Sequence, residues 1–244
     1  MAGKLGRARW LAALLAVAAR CAGADVLSLT TEDFSPPFQV SADQRTSWSG
    51  ISADKLAELM RRARQAYVIA AFPWARAYQM ALQLPNTCVF STTRTAERES
   101  LFLWIGPLAA NDWAMFGRAG DVRRPAVLED VRGAIIGGYH DDSTGLFLKA
   151  RGFRVDVAAT DAINLQKLLN GRIDYWATGI SSGQFLIAKN KAGGKIVPYF
   201  SFQRAQLYLA CHKSVGAPLA ERLNRILQEM ERDGSSAAIE RRYQ

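Results

Sequence analysis

The residues best suited to chemistry in this sequence lie between Ser91 and Arg98. The apolar run 88–90 ends in the hydroxyl side chains of Ser91, Thr92 and Thr93, and Arg98 follows on a turn that reads as the start of a helix. A guanidinium beside hydroxyls and helix-start N–H groups is suited to binding a carboxylate. Taken alone, the stretch also fits solvated arginines on a surface turn, so the surrounding elements must decide between the two interpretations.

Strand and helix signals alternate along the chain in two sets, which predicts parallel sheets flanked by helices. The first set reads as strand 26–30, helix 50–64, strand 67–71, helix 73–84 and strand 88–91. The second reads as strands 113–117, 134–138, 155–158 and 173–178 with helices 143–151, 161–170 and 181–189. Strands 195–199 and 207–211 and helices 218–232 and 236–243 complete the chain.

Each set closes with a small polar cluster after a strand, at 91–93 and at 178–182. Extended segments at 102–113 and 195–208 join the sets, which predicts two lobes with a hinge between them. In open parallel sheets ligands bind beyond the carboxyl ends of strands, and clefts between domains are favoured ligand sites. The sequence therefore predicts a cleft lined by both polar clusters.

The first 24 residues have the pattern of a cleaved signal peptide. Lys4, Arg7 and Arg9 precede the apolar run 10–19, which is too short to span a bilayer, and 22–24 offer small residues for cleavage. We therefore expect a secreted protein that starts at residue 25. Loss of the leader's four basic residues takes the net charge from +9 to +5. The basic residues are scattered, so nucleic acid is not expected as a partner.

Two cysteines follow the leader, Cys88 and Cys211, each in or beside a short apolar strand. In an oxidising compartment an even pair suggests one disulfide, and two buried free thiols are the alternative. His140, Asp141 and Asp142 have metal-ligating side chains, but three adjacent residues rarely converge on one ion. The sequence predicts no metal site and no cofactor.

Four stretches carry a resemblance to a known family: 31–38, 50–56, 91–98 together with 102–107, and 170–174. In order and spacing they resemble the bacterial extracellular solute-binding proteins of family 3, which serve polar amino-acid uptake. The resemblance implies an α/β, two-lobed type II periplasmic-binding-protein fold. Each lobe would be a mostly parallel sheet flanked by helices, and two strands would form the hinge. Lobe one would comprise 25–106 with 207–244, and lobe two 107–206 with the hinge segments.

The same resemblance implies a ligand site in the cleft, where Arg98 pairs bidentately with a carboxylate. Hydroxyl and amide groups would complete the anion site: Thr93 and Ser91 from lobe one, and Ser143 and Thr144 from the first helix of lobe two. Aromatic side chains would wall the cleft: Phe34, Phe38 and Trp74.

One departure from the family concerns the ligand's amino group. Amino-acid binders of the family carry an Asp directly after the second-lobe strand, whereas here Thr178 is followed by Gly179, Ile180 and Ser181. An ammonium in a dry cleft needs a compensating charge or several acceptors. The ligand is therefore open between an amino acid, a small carboxylate and another polar metabolite.

We expect a monomeric solute-binding protein that closes on a small polar, carboxylate-bearing solute and is read by an ABC permease or a membrane sensor. The alternative is a periplasmic enzyme on the same scaffold, similar to prephenate or arogenate dehydratases, which would need a general acid in the cleft. The acids considered for that role are Glu32, Asp33, Asp141 and Asp142. A third class is a stand-alone sensing or interaction domain without a transport role.

Overall fold

The computed structural model of the protein describes residues 26–32, 34–41 and 47–243. The predicted leader, 1–24, lies outside these residues. In this described part of the chain, no helix combines the length and the apolar character that crossing a membrane requires.

The described residues contain thirteen strands and seven α-helices. The first half contains β1 (Leu27–Glu32), β2 (Phe34–Ser35), β3 (Gln39–Ser41), β4 (Trp48–Ser49), α1 (Ile51–Ala63), β5 (Tyr67–Phe72), α2 (Trp74–Gln83), β6 (Thr87–Thr93), β7 (Leu103–Ala110) and β8 (Trp113–Arg118). The second half contains β9 (Ile135–Tyr139), α3 (Ser143–Ala150), β10 (Arg154–Ala158), α4 (Asp161–Leu169), β11 (Tyr175–Gly179), α5 (Ile180–Lys189), β12 (Ile196–Gln203), β13 (Gln206–Cys211), α6 (Ala217–Arg232) and α7 (Ser235–Glu240). Short 3-10 helices lie at Glu99–Leu101, Leu128–Val131, Lys213–Val215 and Arg241–Tyr243.

The strands form two five-stranded sheets with the same pattern of directions. The first has the order β5-β1-β6-β13-β7, and the second β10-β9-β11-β8-β12. In each sheet the first three strands run parallel and the last two add antiparallel pairings. This arrangement, with helices packed on the sheets, confirms the predicted two-lobed α/β fold. Strand β7 ends at Ala110, so the predicted lobe boundary at 106 falls inside it.

Each sheet is buried by helices that carry apolar side chains on one face. In α1, Leu56, Leu59, Met60 and Ala63 recur every three or four residues and are buried in the core of lobe one. Lobe two has its own core, in which Trp176 of β11 is fully buried. The two cores share no residue, so each lobe is stabilised by its own buried cluster.

The cysteines join two neighbouring strands of lobe one. Cys88 of β6 lies directly opposite Cys211 of β13, and the two form a disulfide whose side chains are fully buried. Strand β6 leads to the predicted anion site, and β13 returns from lobe two. The disulfide therefore ties the strand that carries the site to one of the strands that leave the hinge.

The chain crosses between the lobes twice, at 111–112 and at 204–205. The Asn111 amide donates to the Ala205 carbonyl at 2.9 Å. The Ala205 amide donates to Asp112 Oδ1 at 3.0 Å. The two crossings are thus hydrogen-bonded to each other rather than running independently.

Candidate functional site

A cavity of about 340 Å³ lies between the lobes, at the carboxyl ends of the parallel strands of both sheets. Residues at or just after strand ends line it: Glu32, Phe72 and Thr93 from lobe one, and Tyr139, Asp161, Thr178 and Gly179 from lobe two. Seven of the eight predicted site residues also line it: Arg98, Thr93, Ser91, Ser143, Thr144, Phe38 and Trp74. The side chain of the eighth, Phe34, is outside the described part of the structure, although its backbone forms part of β2.

Arg98 lies in the cavity wall with only 5% of its surface exposed. Its Nη1 donates to the Thr93 carbonyl at 3.4 Å, and its Nη2 donates to the Asp141 carbonyl at 3.0 Å. The guanidinium carbon lies 4.8 Å from the centre of the Tyr78 ring and 5.8 Å from that of Trp74. A guanidinium has five N–H donors, so these two bonds leave donors for a ligand. The surface-turn interpretation of Arg98 does not fit this placement.

Ser91 has an unusual backbone beside the cavity. Its φ is +56°, a left-handed conformation that is uncommon for residues other than glycine and that is enriched at ligand sites. Its hydroxyl donates to Gln39 Oε1 at 2.5 Å, which ties the site strand β6 to β3. The Ser91 side chain is therefore engaged within lobe one, and its contact with a ligand stays a prediction.

One carbonyl of lobe two accepts hydrogen bonds from two side chains of lobe one. The Trp74 indole Nε1 and the Arg98 Nη2 both donate to the Asp141 carbonyl, each at 3.0 Å. Asp141 has φ +54°, so it too adopts a left-handed backbone. The two lobes are in direct contact at this carbonyl, and Trp74 bridges them instead of lying on one wall only.

The start of α3 differs from the prediction at Thr144. Asp142 is the N-cap of this helix, and its carboxylate accepts from the amides of Thr144 at 3.0 Å and Gly145 at 3.1 Å. The Thr144 amide, predicted to serve a ligand anion, is thus taken by a side chain of the protein. Burial raises the pKa of Asp142, while the Gly145 amide and Arg98 act in the opposite direction.

Asp161, the first residue of α4, is a cavity residue that sequence reasoning missed. Its Oδ1 accepts from Trp176 Nε1 at 2.6 Å, and its Oδ2 accepts from the Thr178 hydroxyl. Burial raises the pKa of Asp161 to about 7, although these two hydrogen bonds oppose the shift. A signal was present, because 159–161 follow a predicted strand end just as 91–93 and 178–182 do.

The cavity as a whole is more acidic than basic. Among the described residues that line it, Arg98 is the one cation, whereas Glu32, Asp142 and Asp161 are acids. Burial, with these three acids, raises the pKa of Tyr139 well above its ordinary value, so its phenol stays protonated. Over the ranges that the structure describes, no group of three or more His, Cys, Asp or Glu is placed to hold a metal ion.

Comparisons with known proteins agree with this architecture. The sequence model of the bacterial extracellular solute-binding proteins, family 3, matches residues 27–244.

A histidine kinase sensor domain with similarity to periplasmic binding proteins has a TM-score of 0.80 at 19% identity, covering 90% of this chain and 96% of the sensor domain. The P235GK mutant of ArgBP from T. maritima has a TM-score of 0.77 at 19% identity, with 91% and 96% covered. The GluR0 ligand-binding core from Nostoc punctiforme, in complex with L-glutamate, has a TM-score of 0.75 at 17% identity, with 89% and 98% covered. No curated protein matches the chain. At these identities the structural likenesses show the fold alone.

Proposed function

The chain belongs to the bacterial extracellular solute-binding proteins of family 3, and from this premise we propose that it captures a small polar, carboxylate-bearing solute between two closing lobes in the periplasm. The observation that carries the proposal is the guanidinium of Arg98, which is almost fully buried in the wall of the interlobe cavity. A buried cation with open donor capacity favours an anionic ligand group.

The proposed contacts follow from where the side chains lie. Arg98 pairs with the solute carboxylate through N–H groups that do not serve Thr93 and Asp141. Thr93 and Ser143 add polar contacts from the cavity wall, together with the backbone of Ser91 and the hydroxyl of Thr144, since the Ser91 hydroxyl and the Thr144 amide serve other residues. Phe38 and Trp74, which line the cavity, bound the solute, and Phe34 is added to them on the sequence prediction alone.

Closure is proposed as a hinge motion at the crossings 111–112 and 204–205. A ligand that contacts both lobes favours the closed state, because it binds that state more tightly than the open one. A membrane partner then reads the closed form of the monomeric protein, either an ABC permease for uptake or a sensor. The structural likeness to a histidine kinase sensor domain supports keeping the sensor in view.

A thermal-shift screen of amino acids and small carboxylates tests the proposal, since a bound ligand raises the melting temperature. Removing one partner of a buried charge pair costs roughly 2–5 kcal/mol, so Arg98→Ala should bind any hit at least about 30-fold more weakly. Arg94→Ala is the matched control, because Arg94 lies on the same turn, pairs with Glu99 at 2.5 Å and does not line the cavity. Unchanged affinity in Arg98→Ala would refute the site.

One observation keeps a dehydratase in view as a second candidate. Such an enzyme needs a general acid near neutral pH, and the pKa of Asp161 is raised to about 7. Among the acids considered from the sequence, Asp33 lies outside the described residues and Asp142 serves as a helix cap. Incubation with prephenate separates the candidates: a binding protein leaves prephenate unchanged, whereas a dehydratase converts it.

A further inference from the structure

The carboxylate of Asp161 is held in place from inside lobe two. The chain leaves β10 at Ala158, begins α4 at Asp161, and turns this side chain back onto the end of β11. Both donors that it receives there, Trp176 Nε1 and the Thr178 hydroxyl, belong to buried residues. The orientation of the carboxylate towards the cavity is therefore fixed by the core of the lobe before any ligand arrives.

This carboxylate has acceptor capacity that the protein does not use. A carboxylate accepts about four hydrogen bonds, and Asp161 receives at most three from the protein, from Trp176, Thr178 and the side chain of Asn164. None of the ion pairs among the described residues includes Asp161. The described cation of the cavity, Arg98, bonds to Thr93 and Asp141 instead. A half-buried carboxylate without a protein cation is costly unless a ligand supplies the positive charge.

The charges around Asp161 also favour a positively charged ligand group. Asp142, at the start of α3, adds a negative charge that raises the pKa of Asp161 further, after burial as the main cause. Tyr139, at the end of β9, is protonated and neutral. A positive group of a ligand would relieve both the burial of Asp161 and its repulsion by Asp142.

We propose that Asp161 receives a cationic group of the bound solute, so that the ligand is a zwitterion with its carboxylate on Arg98 and its ammonium on Asp161. The inference rests on the proposed function, since it takes the Arg98 contact as given. It assigns the positive end of the solute to α4 of lobe two, and it makes the two lobes recognise opposite charges of one molecule.

A ligand series on the wild-type protein separates this inference from the proposed function. Each L-amino acid is paired with the acid that lacks only its α-amino group: glutamate with glutarate, alanine with propionate, and phenylalanine with 3-phenylpropionate. We expect the amino acid to bind at least about 30-fold more tightly than its partner in any pair that binds. Equal or tighter binding of the des-amino acids would overturn the zwitterion and leave the carboxylate site intact. Binding by neither class would overturn both proposals.

Substitution of Asp161 tests the residue itself. Asp161→Asn should lose at least about 30-fold in affinity for the amino acids that bind the wild type, while its affinity for des-amino acids does not fall. Asp156→Asn is the matched control, since Asp156 belongs to the same lobe, pairs with Lys167 of α4 at 2.9 Å and does not line the cavity. Unchanged amino-acid affinity in a folded Asp161→Asn protein would overturn the assignment. If that variant does not fold, the ligand series on the wild-type protein tests whether the ammonium contributes to binding.

The pH dependence of amino-acid affinity is a further test, because both its direction and its size are expected. An ammonium binds the ionised form of Asp161, so amino-acid affinity should rise with pH until Asp161 is ionised, at about pH 7, and fall about tenfold per unit below it. Asp161→Asn should lose this dependence. Affinity that falls as pH rises from 5 to 8 would show that protonated Asp161 donates to a neutral ligand group, and would overturn the inference.

Discussion

The two lobes share one strand order, yet they present different charges to the cavity between them. Lobe one contributes a cation and an acid, Arg98 and Glu32, with Arg98 held beneath Tyr78 and Trp74. Lobe two contributes Asp142 and Asp161, each at the start of a helix that follows a parallel strand. In both lobes these side chains follow parallel strands, Arg98 after β6 in lobe one and Asp142 and Asp161 after β9 and β10 in lobe two, but the cation comes from lobe one alone among the described residues.

This difference shows how little of the recognition belongs to the fold itself. A parallel sheet delivers whatever residues follow its strands to one edge, so their identity sets the ligand. The lobes also differ in how they are stabilised, since Cys88 and Cys211, which form the disulfide, both belong to lobe one. Three variants, two of them with matched controls, test these differences between the lobes.

Removing the disulfide should have the largest effect on stability, because it removes the covalent cross-link of lobe one. The bond closes a separation of 123 residues, so the Cys88→Ser, Cys211→Ser double variant should lose about 2–5 kcal/mol in free energy of unfolding. Urea denaturation with and without a reductant measures this: reductant should lower the wild type to the level of the variant and leave the variant unchanged. Two free thiols in non-reduced, denatured wild-type protein would contradict the expectation.

Removing the N-cap of α3 should strengthen the binding of a carboxylate to lobe two. Asp142→Ala deletes the acceptor for the Thr144 and Gly145 amides, which should cost about 1 kcal/mol in free energy of unfolding. Propionate should bind this variant more tightly than the wild type, because a repelling charge is lost and two amides are released.

Asp142→Ser is the control for that experiment, because serine also caps helices but carries no charge. It should recover most of the lost stability. Its gain in propionate affinity should be smaller than that of Asp142→Ala, since the amides stay occupied. If Asp142→Ala weakened propionate binding, the carboxylate would be assisting the anion site instead of competing with it.

The smallest effect is expected at the bond that joins the lobes. Trp74→Phe keeps a ring near Arg98 but removes the N–H that donates to the Asp141 carbonyl, worth roughly 0.5 kcal/mol. Small-angle scattering of the ligand-free protein should show a slightly larger radius of gyration. Trp104→Phe is matched to it, since Trp104 Nε1 donates to the Glu99 carbonyl at the same 3.0 Å but within lobe one. An equal change in both variants would contradict a role in joining the lobes.

Much of the fold was predictable because its signals are local. Apolar runs bounded by glycine, proline and polar clusters located nine of the ten strands of the two sheets to within a few residues, whereas β7 was predicted only as part of an extended joining segment. The short β2, β3 and β4 have two or three residues each, too few for any periodicity. Thr160 occupies the N-cap position of α4, although its side chain makes no cap hydrogen bond.

The site was predictable only in part, because charge balance is a property of the assembled cavity. Arg98 could be placed from its own turn, since hydroxyls, strand end and arginine are contiguous there. Asp161 instead depends on Trp176 and Thr178, 15 and 17 residues away along the chain, whose donors define its role. The engagement of the Thr144 amide by Asp142 was likewise hidden, because acids near a helix start are common without capping it.

The paired crossings between the lobes constrain any motion the molecule makes. Since Ala205 bonds to both Asn111 and Asp112, the crossings form a ribbon that bends as one piece. A rotation about a line across that ribbon would keep both bonds, whereas sliding one lobe past the other would break them. These bonds therefore favour the proposed hinge rotation over a shear of the two lobes.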